Sequence, residues 1–286
     1  MTKKVSIIMG IYNCEATLDD ALQSIKDQTY ENWQLVLCDD GSTDSKAPAA
    51  SFHRSDSTYL IAKSFAQRNT DRVILLQNPE NMGLNRTLNR CLEAADGDYI
   101  ARQDGDDASA PQRLEQEVAL LEQKPEYVIV STAMTLFDDR GDWGSIQRLE
   151  QPKPQDLIRG TPFAHAPSMM RAEAIRAVGG YSEAAKFTRV EDYHLWYKMY
   201  REGFRGYNIP DALYRCRDDR DAQDRRKFKY RWNECYVRWL IYREFGYGIR
   251  QLPQVVKPLL VGLLPSSIYR RLHRQRLERQ GGGRGT

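Results

Sequence analysis

Four short apolar runs alternate with stretches of helical periodicity through the first hundred or so residues, and three of the four end in polar, mostly acidic loops. The runs are Val5-Ser6-Ile7-Ile8-Met9, Gln34-Leu35-Val36-Leu37-Cys38, Val73-Ile74-Leu75-Leu76 and residues 98–102. Leu18, Ala21, Leu22 and Ile25 follow the first run at helical spacing. Residues 57–68, then Leu84, Leu88, Cys91 and Leu92, then Leu114, Val118 and Leu121 repeat the pattern. Thr17 with Asp20 resembles a helix start, and Pro111 suits a first helical position. Strands separated by helices imply parallel βαβ units in an α/β sheet. Ligands of such sheets sit at the carboxyl ends of the strands. Those ends are Gly10-Ile11-Tyr12-Asn13, Asp39-Asp40 and Asp104-Gly105-Asp106-Asp107. Unrelated polar loops need not share one edge, so their coincidence argues for a site.

The last of these loops packs three carboxylates into four residues. Such charges repel one another, and a folded site needs something positive among them. A hard divalent cation is the natural candidate, because Mg²⁺ and Mn²⁺ take oxygen ligands and share them with phosphates. Locally the pattern fits a polar loop at a strand end equally well.

At 286 residues, 41% hydrophobic and 28% charged, the chain suits a soluble globular protein with a substantial core. Its five cysteines are scattered without zinc or redox spacing, and the odd count speaks against a disulfide framework. A reducing cytoplasm is the simplest compartment; neither a signal-peptide core nor a run of roughly 20 apolar residues is expected to direct the chain elsewhere. Residues 127–150 read as strands around a turn at Asp139-Arg140-Gly141, and 152–163 as irregular. Helices are expected over 172–178, ending at Gly179-Gly180, and over 191–202.

Charge is unevenly spread. Residues 1–214 hold 24 Lys/Arg against 32 Asp/Glu, net −8, whereas residues 215–286 hold 18 against 7, net +11. Phe228, Trp232, Cys235, Trp239 and Tyr242 recur at helical spacing among these cations. An apolar segment, Val255 to Pro265, and the basic run Ile268 to Arg274 follow. Apolar and aromatic residues beside arginines suit an interfacial helix on an anionic leaflet. The 228–242 stripe is expected to pack on the rest of the protein and 255–274 to meet the membrane, giving a peripheral contact within residues 228–276. No nucleic-acid motif accompanies the charge.

Val5 to Asn13, Gln28-Thr29-Tyr30 through Asp39-Asp40-Gly41-Ser42-Thr43-Asp44, and Asn81-Met82-Gly83 with Asn89 and Gly97-Asp98-Tyr99-Ile100 together resemble blocks of the family 2 glycosyltransferases. Asp104-Gly105-Asp106-Asp107 resembles that family's DxD element. Gly179-Gly180-Tyr181 followed by Glu191-Asp192-Tyr193-His194-Leu195-Trp196 resembles its acceptor-side block. The likeness covers about residues 4–216, with five motifs in order. It implies a GT-A fold: a mainly parallel nucleotide-binding sheet flanked by helices (1–110), a smaller acceptor-side half (111–216), and here a basic helical extension (217–286). It also implies transfer of a sugar from a nucleotide donor with inversion.

The resemblance makes Asp106 the protein ligand of Mn²⁺ or Mg²⁺, with Asp104 near the metal or the ribose. Tyr12 and Asp39 are placed beside the base, where Tyr12 stacks and Asp39 accepts from a ring N–H such as uracil's. Asp40 orients the loop or ribose, and Glu15 lies near the nucleotide. Asp192 is the expected base, with Glu191 in support. Asp107 is expected to be structural, capping the following helix. Arg86 and Arg102 are expected as surface arginines flanking the site, and His165 as a structural or acceptor-side histidine. Processive members carry Gln-x-x-Arg-Trp and several membrane spans. Here Phe228 stands where the glutamine would precede Arg231-Trp232, which points to a single-sugar transferase. The rival readings are an inactive nucleotide-sugar-binding scaffold and a nucleotidyltransferase. The loop after the first strand has one glycine and no cation, which disfavours the latter. No G-x-G-x-x-G follows that strand, which disfavours a dehydrogenase.

Overall fold

The computed structural model describes residues 2–43, 57–219 and 228–263. Strand β1 (Val5–Ile11) lies between β2 (Trp33–Asp39) and β4 (Tyr99–Arg102), with β3 (Val73–Gln77) outside β2; all four are parallel. Both faces of β1 and β2 are buried, as a central parallel strand requires. Val5, Ile7, Met9 and Ile11 enter one core with helices α1 (Leu18–Lys26), α2 (Thr58–Arg68) and α4 (Arg113–Gln123). Ile8 enters the other, with α3 (Leu84–Ala94), α5 (Ala172–Ala177) and α6 (Glu191–Arg201). This alternation follows from the two-residue period of a strand. Burying each such side chain contributes roughly 1.5–3 kcal/mol.

The sheet extends further than its periodicity suggests. Strand β8 (Met169–Arg171) inserts antiparallel between β4 and β6 (Ile129–Asp138). β6 then pairs parallel with β9 (Gly206–Arg217) and closes an antiparallel hairpin with β7 (Gly141–Ile146). β5 (Ala108–Ser109) ends the path against β9. β4 and β5 are consecutive in the chain yet stand mid-path and at its end, joined only by residues 103–107. The sheet therefore curls back, and the acidic loop bridges the curl.

Two expected helix starts differ. Thr17 does not cap α1 with its side chain; its hydroxyl donates to the Gly105 carbonyl at 3.0 Å, tying α1 to the acidic loop. α4 begins at Arg113, two residues past Pro111, whose carbonyl accepts from Thr29 N–H. Residues 154–159, expected irregular, form a 3-10 turn.

Helices α7 (Lys229–Glu244) and α8 (Leu252–Gly262) pack on the second core. Only part of the expected stripe packs inward: Cys235 is buried and Tyr242 packs against the core, while Phe228, Trp232 and Trp239 face solvent, and the buried side also carries Arg231, Val237, Arg238 and Ile241. The arginines can be buried because their charges are met: Arg238 donates to the carbonyls of Ile158 (2.7 Å) and Gln254 (3.0 Å) and to Glu234 (3.0 Å), and Arg231 pairs with Glu234. Asp44, residues 264–276 and the terminal glycines lie outside the described residues. Among the described residues, no helix is long and apolar enough to cross a membrane.

Candidate active site

The strand order reverses at β1: β2 and β3 lie on one side and β4 on the other. A crevice opens at the carboxyl ends of strands flanking such a switch point. The loop after β4 carries Asp104, Asp106 and Asp107, whose carboxylate oxygens lie within 4.8 Å of one another. Gly105 fits this loop against β1, since a Cβ there would stand 3.0 Å from both Cys14 Sγ and Ile11 Cγ2.

Part of the positive charge the cluster needs comes from the protein. Arg102, expected at the surface, is buried, and its guanidinium forks onto Asp104 at 2.6 and 2.9 Å. The arginine stays charged despite burial because Asp104 stands against it. Asp107 is structural but caps no helix: it is buried and accepts from the Arg217 backbone N–H at 2.7 Å, holding the end of β9. Burial first, then the charges of Asp104 and Asp106, push its carboxyl up to about 8. One guanidinium faces three carboxylates, so negative charge is left over in the loop. The site therefore fits a hard cation, and Asp106 and Asp104 are the half-buried oxygen donors able to hold one.

A second buried arginine fixes the loop from beneath. Arg113 donates to the Arg102 carbonyl (2.7 Å), Gln103 Oε1 (3.1 Å), Ser109 Oγ (2.8 Å) and Glu117 (3.2 Å). The Asp104 backbone N–H donates to the Tyr214 hydroxyl at 3.1 Å.

At the end of β2, Asp39 is fully buried; its carboxylate accepts from the Ser42 hydroxyl (2.5 Å) and Gln77 (3.2 Å). Asp40 holds the loop before α3, accepting from the backbone N–H groups of Met82 (2.8 Å) and Gly83 (2.9 Å) and from Asn78 (2.6 Å). Tyr12 stands 44% exposed at the end of β1, leaving its ring free of the core. It lines a cleft of about 370 Å³ with Asp40, the 81–87 segment, Arg189, Glu191 and Tyr230. Glu15 is exposed before α1 and is not among the residues lining this cleft.

The opposite wall is the start of α6. Glu191 and Asp192 occupy its first turn, where the helix dipole favours negative charge. Burial and then the charge of Asp192 raise the Glu191 carboxyl above its usual range. Arg102 acts on Glu191, and Tyr181 is acted on by Arg102, Asp192, Glu191 and Asp104. The two carboxylate groups thus share one electrostatic neighbourhood. His165 bonds the Tyr181 hydroxyl at 2.9 Å, and burial and then Arg102 hold it neutral. Tyr181 is set by Asn89, whose amide pairs with both its backbone groups at 2.8 Å. Gly180 at φ 59° permits this approach, since a Cβ would stand 2.8 Å from Asn89 Oδ1. Arg86 is exposed and pairs with Glu183 at 3.3 Å. His194 stacks on Phe187, pushed down to about 3 by burial.

Sequence reasoning missed the fork of Arg102, the hub at Arg113 and the contribution of Tyr230. For Arg102 a signal existed: two residues before Asp104 at a strand end, it emerges on the same side.

A curled, mainly parallel sheet with an acidic loop at its switch point defines a GT-A transferase fold. The profile for Glycosyl transferase family 2 matches residues 6–179, and the chain belongs to that family of glycosyltransferases. It is 43% identical over 280 residues to the candidate glycosyltransferase EpsE of Bacillus subtilis (strain 168), covering 98% of this chain and 96% of that one. It is 27% identical to an Escherichia coli UDP-Gal:alpha-D-GlcNAc-diphosphoundecaprenol beta-1,3-galactosyltransferase, covering 96% and 98%. Among solved structures, residues 1–349 of Staphylococcus aureus TarS in complex with UDP share the fold with a TM-score of 0.66 at 18% identity, over 90% of this chain and 70% of that one.

Proposed function

We propose that this chain is a metal-dependent, inverting transferase that moves one sugar from a UDP-sugar to a hydroxyl of a glycan or lipid-linked acceptor. We place it in cell-surface polysaccharide synthesis, as a peripheral enzyme at the cytoplasmic face of an anionic membrane contacted through residues 228–276. The observation that carries the reading is the carboxylate cluster at the β1–β4 switch point, in a fold whose α6 opens on two further carboxylates, Glu191 and Asp192. Relatives lend support: one is named for a UDP-sugar donor and a diphosphoundecaprenol-linked acceptor, and the TarS complex holds UDP.

In this reading, residues 1–110 hold the donor, 111–216 the acceptor, and 217–286 form the extension. Tyr12 stacks on the base and Asp39 accepts from its ring N–H; Asp40 orders the 81–83 loop beside it, with Glu15 at the rim. Asp106 and Asp104 would hold Mn²⁺ or Mg²⁺, which supplies charge to stabilise the departing diphosphate. Asp192 takes the proton of the acceptor hydroxyl as the new bond forms on the opposite face of the sugar. Glu191, whose carboxyl is raised by burial and by the charge of Asp192, stands beside it in support.

The test is UDP release from a panel of UDP-sugars with Mn²⁺. Wild type releases UDP, and chelation or Asp106→Ala abolishes release. Binding of UDP-sugars without turnover across donors and acceptors would favour a scaffold. Preference for GDP- or dTDP-sugars would overturn the role given to Asp39.

A further inference from the structure

The largest concentration of exposed apolar side chains among the described residues falls on the C-terminal helix pair. On α7, Phe228, Trp232 and Trp239 are 46%, 60% and 42% exposed; on and just after α8, Val256, Leu260 and Leu263 are 45%, 61% and 71% exposed. At about 100° per residue, the α7 trio lies within about 40° of arc and the α8 trio within about 60°. The two helices pack together at Gly262, where a Cβ would stand 3.1 Å from Arg231 Cγ and from the Phe228 ring. Exposed apolar side chains concentrated in this way mark an interaction region.

Its surroundings specify the partner. Lys229, Arg243, Arg250 and Lys257 are exposed on residues 228–263, against one exposed acid, Glu244. Residues 215–286 carry net +11 beside a body of net −8. Indoles at the edge of an apolar stripe, ringed by cations, match the boundary between headgroups and acyl chains of an anionic bilayer. Tyr230, which lines the cleft, lies about 160–200° around α7 from this stripe, so the stripe faces away from the cleft wall.

We propose that the exposed apolar residues of α7 and α8 seat the C-terminal helix pair on an anionic lipid bilayer, with Trp232 and Trp239 at headgroup depth. The proposal rests on the membrane contact put forward above and deepens it, assigning to the bilayer the outer stripe of α7, which the sequence led one to expect on the protein.

The experiment uses the full chain with phosphatidylcholine vesicles containing about one third phosphatidylglycerol, at low salt. Wild type co-sediments, and brominated acyl chains quench its tryptophan fluorescence; Trp33 and Trp196 are buried and do not report, and Trp143, half-buried on β7, leaves a background that the phenylalanine pair measures. Trp232→Ser with Trp239→Ser lowers partitioning about tenfold or more, because binding scales with the apolar area inserted. Trp232→Phe with Trp239→Phe stays bound within about twofold but loses most of the quenching, which excludes misfolding as the cause. Leu149→Ser, exposed in the loop after β7, changes nothing. If the serine pair bound as wild type, or bound wild type were not quenched, the α7–α8 face would be wrong while membrane contact through other residues survived. If wild type failed to sediment, both would fall. A dimer in light scattering that the serine pair dissolves, without lipid binding, would assign the face to a second copy and overturn the proposal.

Discussion

Replacing Arg113 by methionine leaves Glu117 buried without its cation. Both side chains are almost fully buried, at 1% and 0% exposure, and Glu117 Oε1 has no hydrogen-bond partner among the described residues. Even with Arg113 present, burial raises the Glu117 carboxyl to about 7. A carboxyl raised above its unfolded value stabilises most when protonated: that contribution is complete below about 4.5 and is lost as the pH rises through about 7. In Arg113→Met the attraction is gone and the carboxyl rises further. Near pH 8 the variant must then hold an unpaired charge or take up a proton, a loss of about 3–5 kcal/mol. At about pH 5.5 Glu117 carries a proton in both proteins, leaving only the orphaned Arg102 carbonyl, about 1–3 kcal/mol, because the Ser109 hydroxyl still donates to Gln103. Urea unfolding at the two pH values measures the difference, and Arg113→Met with Glu117→Gln should abolish its pH dependence. Equal destabilisation at both pH values, or a double variant that keeps the dependence, would refute the reasoning.

Two further outcomes follow from the site's walls. Gly180→Ala combines positive φ with the close approach to Asn89 and should cost more than about 1 kcal/mol in denaturant unfolding, loosening Tyr181 as it does so. Tyr12→Ala should weaken UDP binding about tenfold by calorimetry while Tyr12→Phe holds it within about twofold, because stacking needs the ring and not the hydroxyl.

The first four strands are legible because each is a compact apolar run, and β1 and β2 are buried on both faces. The rest of the sheet is hidden by its local shortness. Met169-Met170-Arg171 is too brief to read as a strand, and its partners lie 39 or more residues away at Ile129–Val130 and Tyr99–Ala101. The acidic loop is conspicuous in sequence, but its charge balance is not. Repulsion among Asp104, Asp106 and Asp107 suggested a cation alone, whereas Arg102 meets part of it. The α7 stripe misled for the opposite reason. Aromatic spacing normally marks the buried face, but Arg231 and Arg238 take that face because Glu234 and backbone carbonyls satisfy them. Tyr230 reaches the cleft only through the packing of α7, which no local pattern encodes.

The account's central claim is a division of labour: one carboxylate group holds the donor's diphosphate end, and Asp192 takes the acceptor's proton. Asp192→Asn tests it most directly, with UDP affinity and the rate of UDP release from the preferred UDP-sugar measured on the same preparation. The account predicts UDP affinity within about twofold of wild type and a rate lowered about 10²–10⁴-fold, the usual contribution of a general base. A variant that turned over within about tenfold of wild type, or that lost UDP binding, would contradict it.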